Sequence, residues 1–309
     1  MKPKLTALHA AHLSFAGVVC TGAVVLFVST AKAQNLFVAN AWYNNILEFT
    51  PSGVQQTFIA GDIWADGLAF NSAGDLFASY PATGDIVEFT PGGAQSTFAS
   101  GLAFPQGLAF NSAGDLFEAD GNGDRINEFT PAGSESTFAS GLYNPFGLAF
   151  NNAGDLFETD ENSGKVYEFT PGGVRSTFAS GLYNPTGLAF NSAGDLFVGC
   201  AGNGYIYEFT PGGAQSTFAS GLDAPQALAF NNAGDLFEAD ANSGNIYEFT
   251  PSGVQSTFAS GLGAHSLAFQ GQPLPVPEPS VLELLALGVP ALLLRRRDLA
   301  AWFTKKPSA

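Results

Sequence analysis

The sequence predicts an all-β fold, a six-bladed β-propeller of four-stranded blades. Three observations carry this reading. A Leu-Phe pair recurs at Leu36, Leu76, Leu116, Leu156, Leu196 and Leu236, always 40 residues apart, and self-similarity at a fixed period means supersecondary units stacked on one another. Each unit holds four short apolar runs parted by Gly-, Asn- and Pro-rich breakers, too short for helices and rich in β-branched and aromatic residues. The first copy, starting at Leu36, lacks its first run, and the last copy, Ser266–Phe269, is a first run alone. The C-terminal strand should therefore join the three N-terminal ones in one shared blade, closing the ring and removing its exposed sheet edges.

One copy, Gly147 to Ser180, shows the elements in order. Strands are expected at Leu148–Phe150, Leu156–Thr159, Val166–Thr170 and Ser176–Ala179. Asn151-Asn152-Ala153-Gly154-Asp155 and Asn162-Ser163-Gly164 place Gly where a short loop needs positive φ, and Pro171-Gly172-Gly173 suits a tight turn. Alternation puts Leu148 and Phe150 on one face and Ala149 on the other, and sets Phe178 opposite Thr177 and Ala179. A Phe/Leu face of each blade would then bury against the Ala/Thr face of its neighbour.

Between Leu36 and Phe269 the basic residues are Arg125, Lys165 and Arg175, against 24 carboxylates. Such a surface repels nucleic acid and anionic membrane and attracts cations; solubility outside the cell is the plainer consequence. Only Cys20 and Cys200 are present, and Cys20 lies in the leader, so no disulfide framework is expected.

The ends read as addresses. Residues 1–33 form a secretory signal: Lys2 and Lys4, an apolar run from Leu13 to Val28, and Ala31-Lys32-Ala33 as the signal peptidase site. A retained anchor is the alternative. Residues 34–269 are the propeller and 270–280 a Pro-rich linker. Residues 281–297 are a hydrophobic helix with the Arg295-Arg296-Arg297 cluster, and 298–309 a cytoplasmic tail. Pro277-Glu278-Pro279, the apolar run and the arginines, in that order, resemble the PEP-CTERM sorting signal. The resemblance implies a transient membrane anchor that an exosortase removes, with delivery to the cell envelope, surface or extracellular matrix. The run of 14 residues is about 21 Å as helix, short of the ~30 Å of a bilayer core, and it contains Glu283 and Pro290. A permanent anchor is again the alternative.

Within the repeat, Pro185-Thr186-Gly187-Leu188-Ala189, Asn191–Asp195 and Leu236-Phe237-Glu238-Ala239-Asp240 resemble the NHL and SMP-30/gluconolactonase-like propellers. The resemblance implies fold far more than activity. The lactonases of that group hold a divalent cation partly through an Asn just before a first-strand Gly-Leu. Here those positions are Asp66, Gln106, Phe146, Thr186 and Gln226. The histidine of streptogramin-lyase-like propellers has no counterpart by alignment, and His265 is the only histidine beyond the leader.

Strand order puts the near-identical NSAGD and TPGG turns on one face and the segments that differ between copies on the other. That variable face carries Trp64, Phe104, Tyr143, Asn144, Phe146, Tyr183, Asn184, Asp223 and His265 in the blade connections. Tyr43, Asp120, Asp124, Asp160, Glu161 and Asp240 lie at the second-to-third turns. Aromatic rings beside amides and carboxylates suit carbohydrate by stacking and hydrogen bonding, and the oxygens suit Ca²⁺; the alternative is that these residues pack loops and stabilise turns. Glu48, Glu88, Glu128, Glu168, Glu208 and Glu248 recur in every unit and read as structural. Glu118, Glu158 and Glu238 occur in three units and would flank a groove or face solvent. No Ser-His-acid set is available without His265, and no His pair exists for a metal. The expectation is a non-enzymatic binding or structural module, with exopolysaccharide or a surface protein as partner and no resident cofactor. A divalent-metal-dependent lactonase is the alternative.

Overall fold

The computed structural model describes residues 34–61 and 64–271. The signal peptide, the Pro277-Glu278-Pro279 motif, the hydrophobic segment and Arg295–Arg297 lie outside the described residues. Within them the chain forms 24 strands in six four-stranded antiparallel sheets. Blade 1 joins Ala264–Phe269 to Leu36–Asn40, Asn45–Phe49 and Gln55–Ile59, so the first and last strands share a sheet. Blades 2 to 6 run Gly67–Ala99, Pro105–Ser140, Pro145–Ser180, Pro185–Ser220 and Pro225–Ser260. The first strand of each blade lies innermost, beside those of both neighbouring blades, and the six surround a central channel.

In blade 4 the strands are Pro145–Phe150, Leu156–Asp160, Lys165–Phe169 and Arg175–Ser180. The first begins three residues earlier than alternation suggests, because Pro145 still pairs with Asp160 across a register shift. The turns follow their residues. Asn151 Oδ1 accepts the amides of Ala153 (2.9 Å) and Asp155 (2.8 Å), and Gly154 sits at φ 86°. This Asx-type turn needs a short amide side chain and then a residue free of a Cβ penalty.

Blade packing differs from simple alternation at one point. Leu148, Phe150, Leu156 and Phe169 do form one face, packed on blade 3. On the opposite face, however, Phe178 and Ala179 point the same way, together with Ala149, Phe157 and Val166. A β-bulge is the cause: Val166 pairs with Ala179 but Tyr167 pairs with Thr177, so Phe178 is an extra residue. The bulge recurs in all six blades. It brings Phe178 edge-on to Phe157, with centroids 5.1 Å apart, while Phe157 meets Phe190 and Phe178 meets Phe209 of the next blade. The same four-ring set fills each interface.

Around the channel the inner strands approach so closely that Gly is required. A Cβ on Gly67 would lie 2.1 Å from the Gln106 carbonyl oxygen, and one on Gly107 2.2 Å from that of Phe146. The ring is sealed by Gln270 N donating to Asn35 O, Gln34 Nε2 to Gln270 O and Asn232 N to Gln34 Oε1.

Glu118, Glu158 and Glu238 correct the sequence reading. They neither face solvent nor flank a groove, but are fully buried in second strands. Each stands beside polar or phenolic residues of the third strand, Asn127, Tyr167 and Tyr247. Asn127 Nδ2 donates to Glu118 Oε2 at 2.9 Å, whereas neither oxygen of Glu158 or Glu238 has a hydrogen-bond partner. Burial pushes the Glu118 carboxyl up to about 8 and holds those of Glu158 and Glu238 well above the usual range.

Three outcomes follow. Phe117→Ala should cost about 3–5 kcal/mol in urea unfolding, since it empties the centre of an aromatic set. Glu158→Val should raise stability by about 1–3 kcal/mol at pH 7, because a partnerless buried carboxyl is removed and Val198 already occupies the equivalent place in blade 5. The folded-state Glu118 value lies above the ordinary 4.5, so the native state holds the extra proton between those values. Its contribution is complete below about pH 4.5 and is lost as pH rises towards about 8. Melting curves should show the Glu118→Gln variant gaining on the native protein across that window; a constant difference would refute this.

Candidate functional site

Each inner strand runs from the variable face to the face of repeated turns. The equivalent position at the variable-face end of each inner strand holds Asp66, Gln106, Phe146, Thr186, Gln226 and His265; Asp66, Phe146, Gln226 and His265 line the channel, whereas Thr186 is buried, its hydroxyl donating to Gly199 O and Pro225 O. His265 holds this position in blade 1, where the connection is one residue shorter and Ser266 replaces the usual Gly. Below the mouth Leu68, Leu108, Leu148, Leu188, Leu228 and Leu267 narrow the channel, leaving a cavity of about 100 Å³. That is room for a few waters, far below the ≈ 300–1,000 Å³ of small-molecule pockets. A larger space of about 760 Å³ opens on the opposite face, lined by equivalent Phe, Leu, Ala and Asn residues of the repeat.

The polar groups of the mouth form two sets. His265 Nδ1 lies 3.1 Å from Asp66 Oδ1, and Trp64 meets the imidazole edge-on at 5.3 Å. In the other set, Gln106 Nε2 donates to Asn144 Oδ1 (3.4 Å), and the amides of Asn144 and Asn184 both donate to the Glu161 carboxylate. Burial, and secondarily the charge of Asp66, raises the Glu161 carboxyl above its ordinary value. Gln106 Oε1 and Gln226 Oε1 are buried without a protein partner. These donors do not fit a carboxylate-rich cation site: among the described residues no three His, Cys, Asp or Glu side chains converge.

The residues singled out by sequence separate into two classes. Tyr143 and Tyr183 are 60% and 66% exposed, presenting rings to solvent, and Asn184 is exposed beside them. Asn144 and Asn184 take left-handed conformations, φ 58° and 45°, that Asn tolerates best after Gly. Trp64 and Phe104 are half-buried. Asp120, Asp160 and Asp240 are buried and point into the scaffold. Asp160 accepts Tyr143 N (2.7 Å) and Ser163 N (3.1 Å), and Asp240 accepts Asp223 N and Ser243 N in the same way. Asp120 holds Phe104 N and the Arg125 guanidinium. These carboxylates position the connections that carry the aromatic residues. Trp42, 54% exposed in the turn of blade 1, escaped notice because the first copy has no complete unit to compare with.

Similar backbones occur in proteins with different roles. No protein-family profile matches the chain, and no curated protein matches it in sequence. A chain of a nidogen/laminin complex superposes with TM-score 0.71 at 21% identity, covering 79% of this chain and 99% of that one. Virginiamycin B lyase from Staphylococcus aureus gives TM-score 0.62 at 15% identity, covering 78% and 92%. A protein solved as a candidate gluconolactonase gives 0.63 at 16%, covering 75% and 89%. The chain is a six-bladed β-propeller. At these identities the likeness extends to fold alone, and the neighbours include both enzymes and a protein of a binding complex.

Proposed function

We propose that the propeller is the binding module of an exported, exosortase-sorted surface or matrix protein, and that its ligand is a glycan held on the variable face. The observation that carries this reading is the pairing of exposed Tyr143 and Tyr183 with the amide–carboxylate network of Gln106, Asn144, Glu161 and Asn184. Flat apolar rings accept the C–H faces of sugars, and amides with carboxylates accept and donate to hydroxyls. The shallow mouth supports a ligand lying across the face. The exit of the chain supports it too. Gln34 and Gln270 meet beside Asn232, on the face of repeated turns, so a tether through the linker would leave the variable face pointing outward. Exosortase and signal peptidase are the partners this reading requires during export.

One observation favours the second reading, a lactonase or related hydrolase: the Asp66–His265 pair stands at the mouth. A binding assay decides between them. Probed with glycans, including exopolysaccharide from the producing cells, the full chain should bind, and the double variant Tyr143→Ala/Tyr183→Ala should lose roughly five- to a hundredfold in affinity, two aromatic contacts' worth. Lactone turnover that disappears in His265→Ala, with no glycan binding, would establish the enzyme instead.

A further inference from the structure

We propose that Trp42 forms a second aromatic subsite, across the channel mouth from Tyr143 and Tyr183, so that the face takes an extended, uncharged polysaccharide chain. This rests on the glycan reading above and adds the length and charge of the ligand.

The backbone amides of Tyr143, Asp223 and Gly263 occupy equivalent places, each donating to the residue that ends a second strand: Asp160 (2.7 Å), Asp240 (2.6 Å) and Asn40 (2.9 Å). Where blade 4 is entered through a tyrosine, blade 1 is entered through a glycine. No side chain fits there, because a Cβ on Gly263 would lie 2.2 Å from Trp42 Cδ1 and 2.3 Å from Cγ. On Gly244 it would lie 2.9 Å from Trp42 Cη2. The indole from the neighbouring turn thus rests on the backbone of two glycines in the space a side chain at 263 would have used. It is backed by protein, yet 54% of its surface remains open. A core role would bury it; what remains is a fixed ring with area available for contact, the property that suits Trp and Tyr to binding surfaces.

The order of inner strands around the channel sets blade 1 opposite blade 4. Tyr143 lies in the connection entering blade 4 and Tyr183 in the one leaving it. The two aromatic positions therefore flank the mouth, with Asp66, His265, Gln106, Asn144 and Glu161 between them. A single sugar reaches one side only. A chain of several residues lies on both rings and passes its hydroxyls over the polar floor. The floor and rim carry Asp66, Asp124, Glu161 and Asp223, which disfavour a polyanion.

The test is a length series on the full chain: neutral α- and β-linked glucan and mannan oligosaccharides of two to ten units, beside uronic-acid oligomers of the same lengths. Affinity for a neutral series should rise by roughly tenfold or more once the chain reaches both sides. Trp42→Ala should remove that gain while leaving short-oligomer binding, and Gly263→Ala, which displaces the ring without deleting it, should do the same. Trp42→Ala should melt close to the native temperature, so that its loss of long-chain affinity reads as a lost contact. Equal affinity for short and long neutral chains, or a silent Trp42→Ala in a protein still sensitive to Tyr143→Ala, overturns the second subsite and leaves the glycan reading standing. Tighter binding of uronic-acid oligomers overturns the charge assignment. No binding at any length removes the glycan reading and this inference together.

Discussion

The structure depends on one repeated interaction, the four-phenylalanine set between adjacent blades. Phe117 meets Phe138 of its own blade and Phe150 of the next, and Phe138 meets Phe169. The three contacts among these four rings are edge-on or tilted at 5.0 to 5.8 Å, the arrangement that ring quadrupoles favour. A lone blade would leave these rings in water. Six blades in a closed ring leave none of the sets unmatched, which is why Phe269 from the far end of the chain must stand against Phe237. The bulge in the outer strand is part of the same device, since without the extra residue Phe138 would turn away from Phe117.

Because every copy must supply its share of these sets, the repeated letters belong to the scaffold. Variation is tolerated at two kinds of place. One is the buried second-strand position held by Val38, Ala78, Glu118, Glu158, Val198 and Glu238. Three copies bury a carboxyl there at the expense of stability, and nothing in the structure explains what the protein gains by it. The other is the variable face, where the exposed Trp42, Tyr143 and Tyr183 take no part in the phenylalanine sets. Function that distinguishes one blade from another can reside there without disturbing the ring.

Much of this was legible in sequence for a physical reason: the 40-residue period, the turn residues and the unmatched end strands are local and repeated, and they determine blade number, strand order and closure. The identity of the two faces followed from strand order alone. What escaped notice depends on non-local geometry. Simple alternation cannot register a bulge and sends Phe178 and Ala179 to opposite faces. The polar letter of Glu158 suggested solvent, but its position in a second strand beside Tyr167 buries it. Asp160, a candidate for the binding face by its place in the repeat, is buried and clamps the connection before it. Trp42 and Gly263 are 221 positions apart, and only ring closure shows that one occupies the space the other leaves.

The propeller divides its labour, with the scaffold in the repeated residues and recognition on the variable face. Hydrogen–deuterium exchange of the full chain with and without a bound neutral oligosaccharide tests it most directly. Protection confined to the Ala41–Asn45 turn and the connections around Tyr143, Tyr183 and His265 is the predicted result. Protection centred on the NSAGD and TPGG turns, with the variable face unchanged, would contradict it.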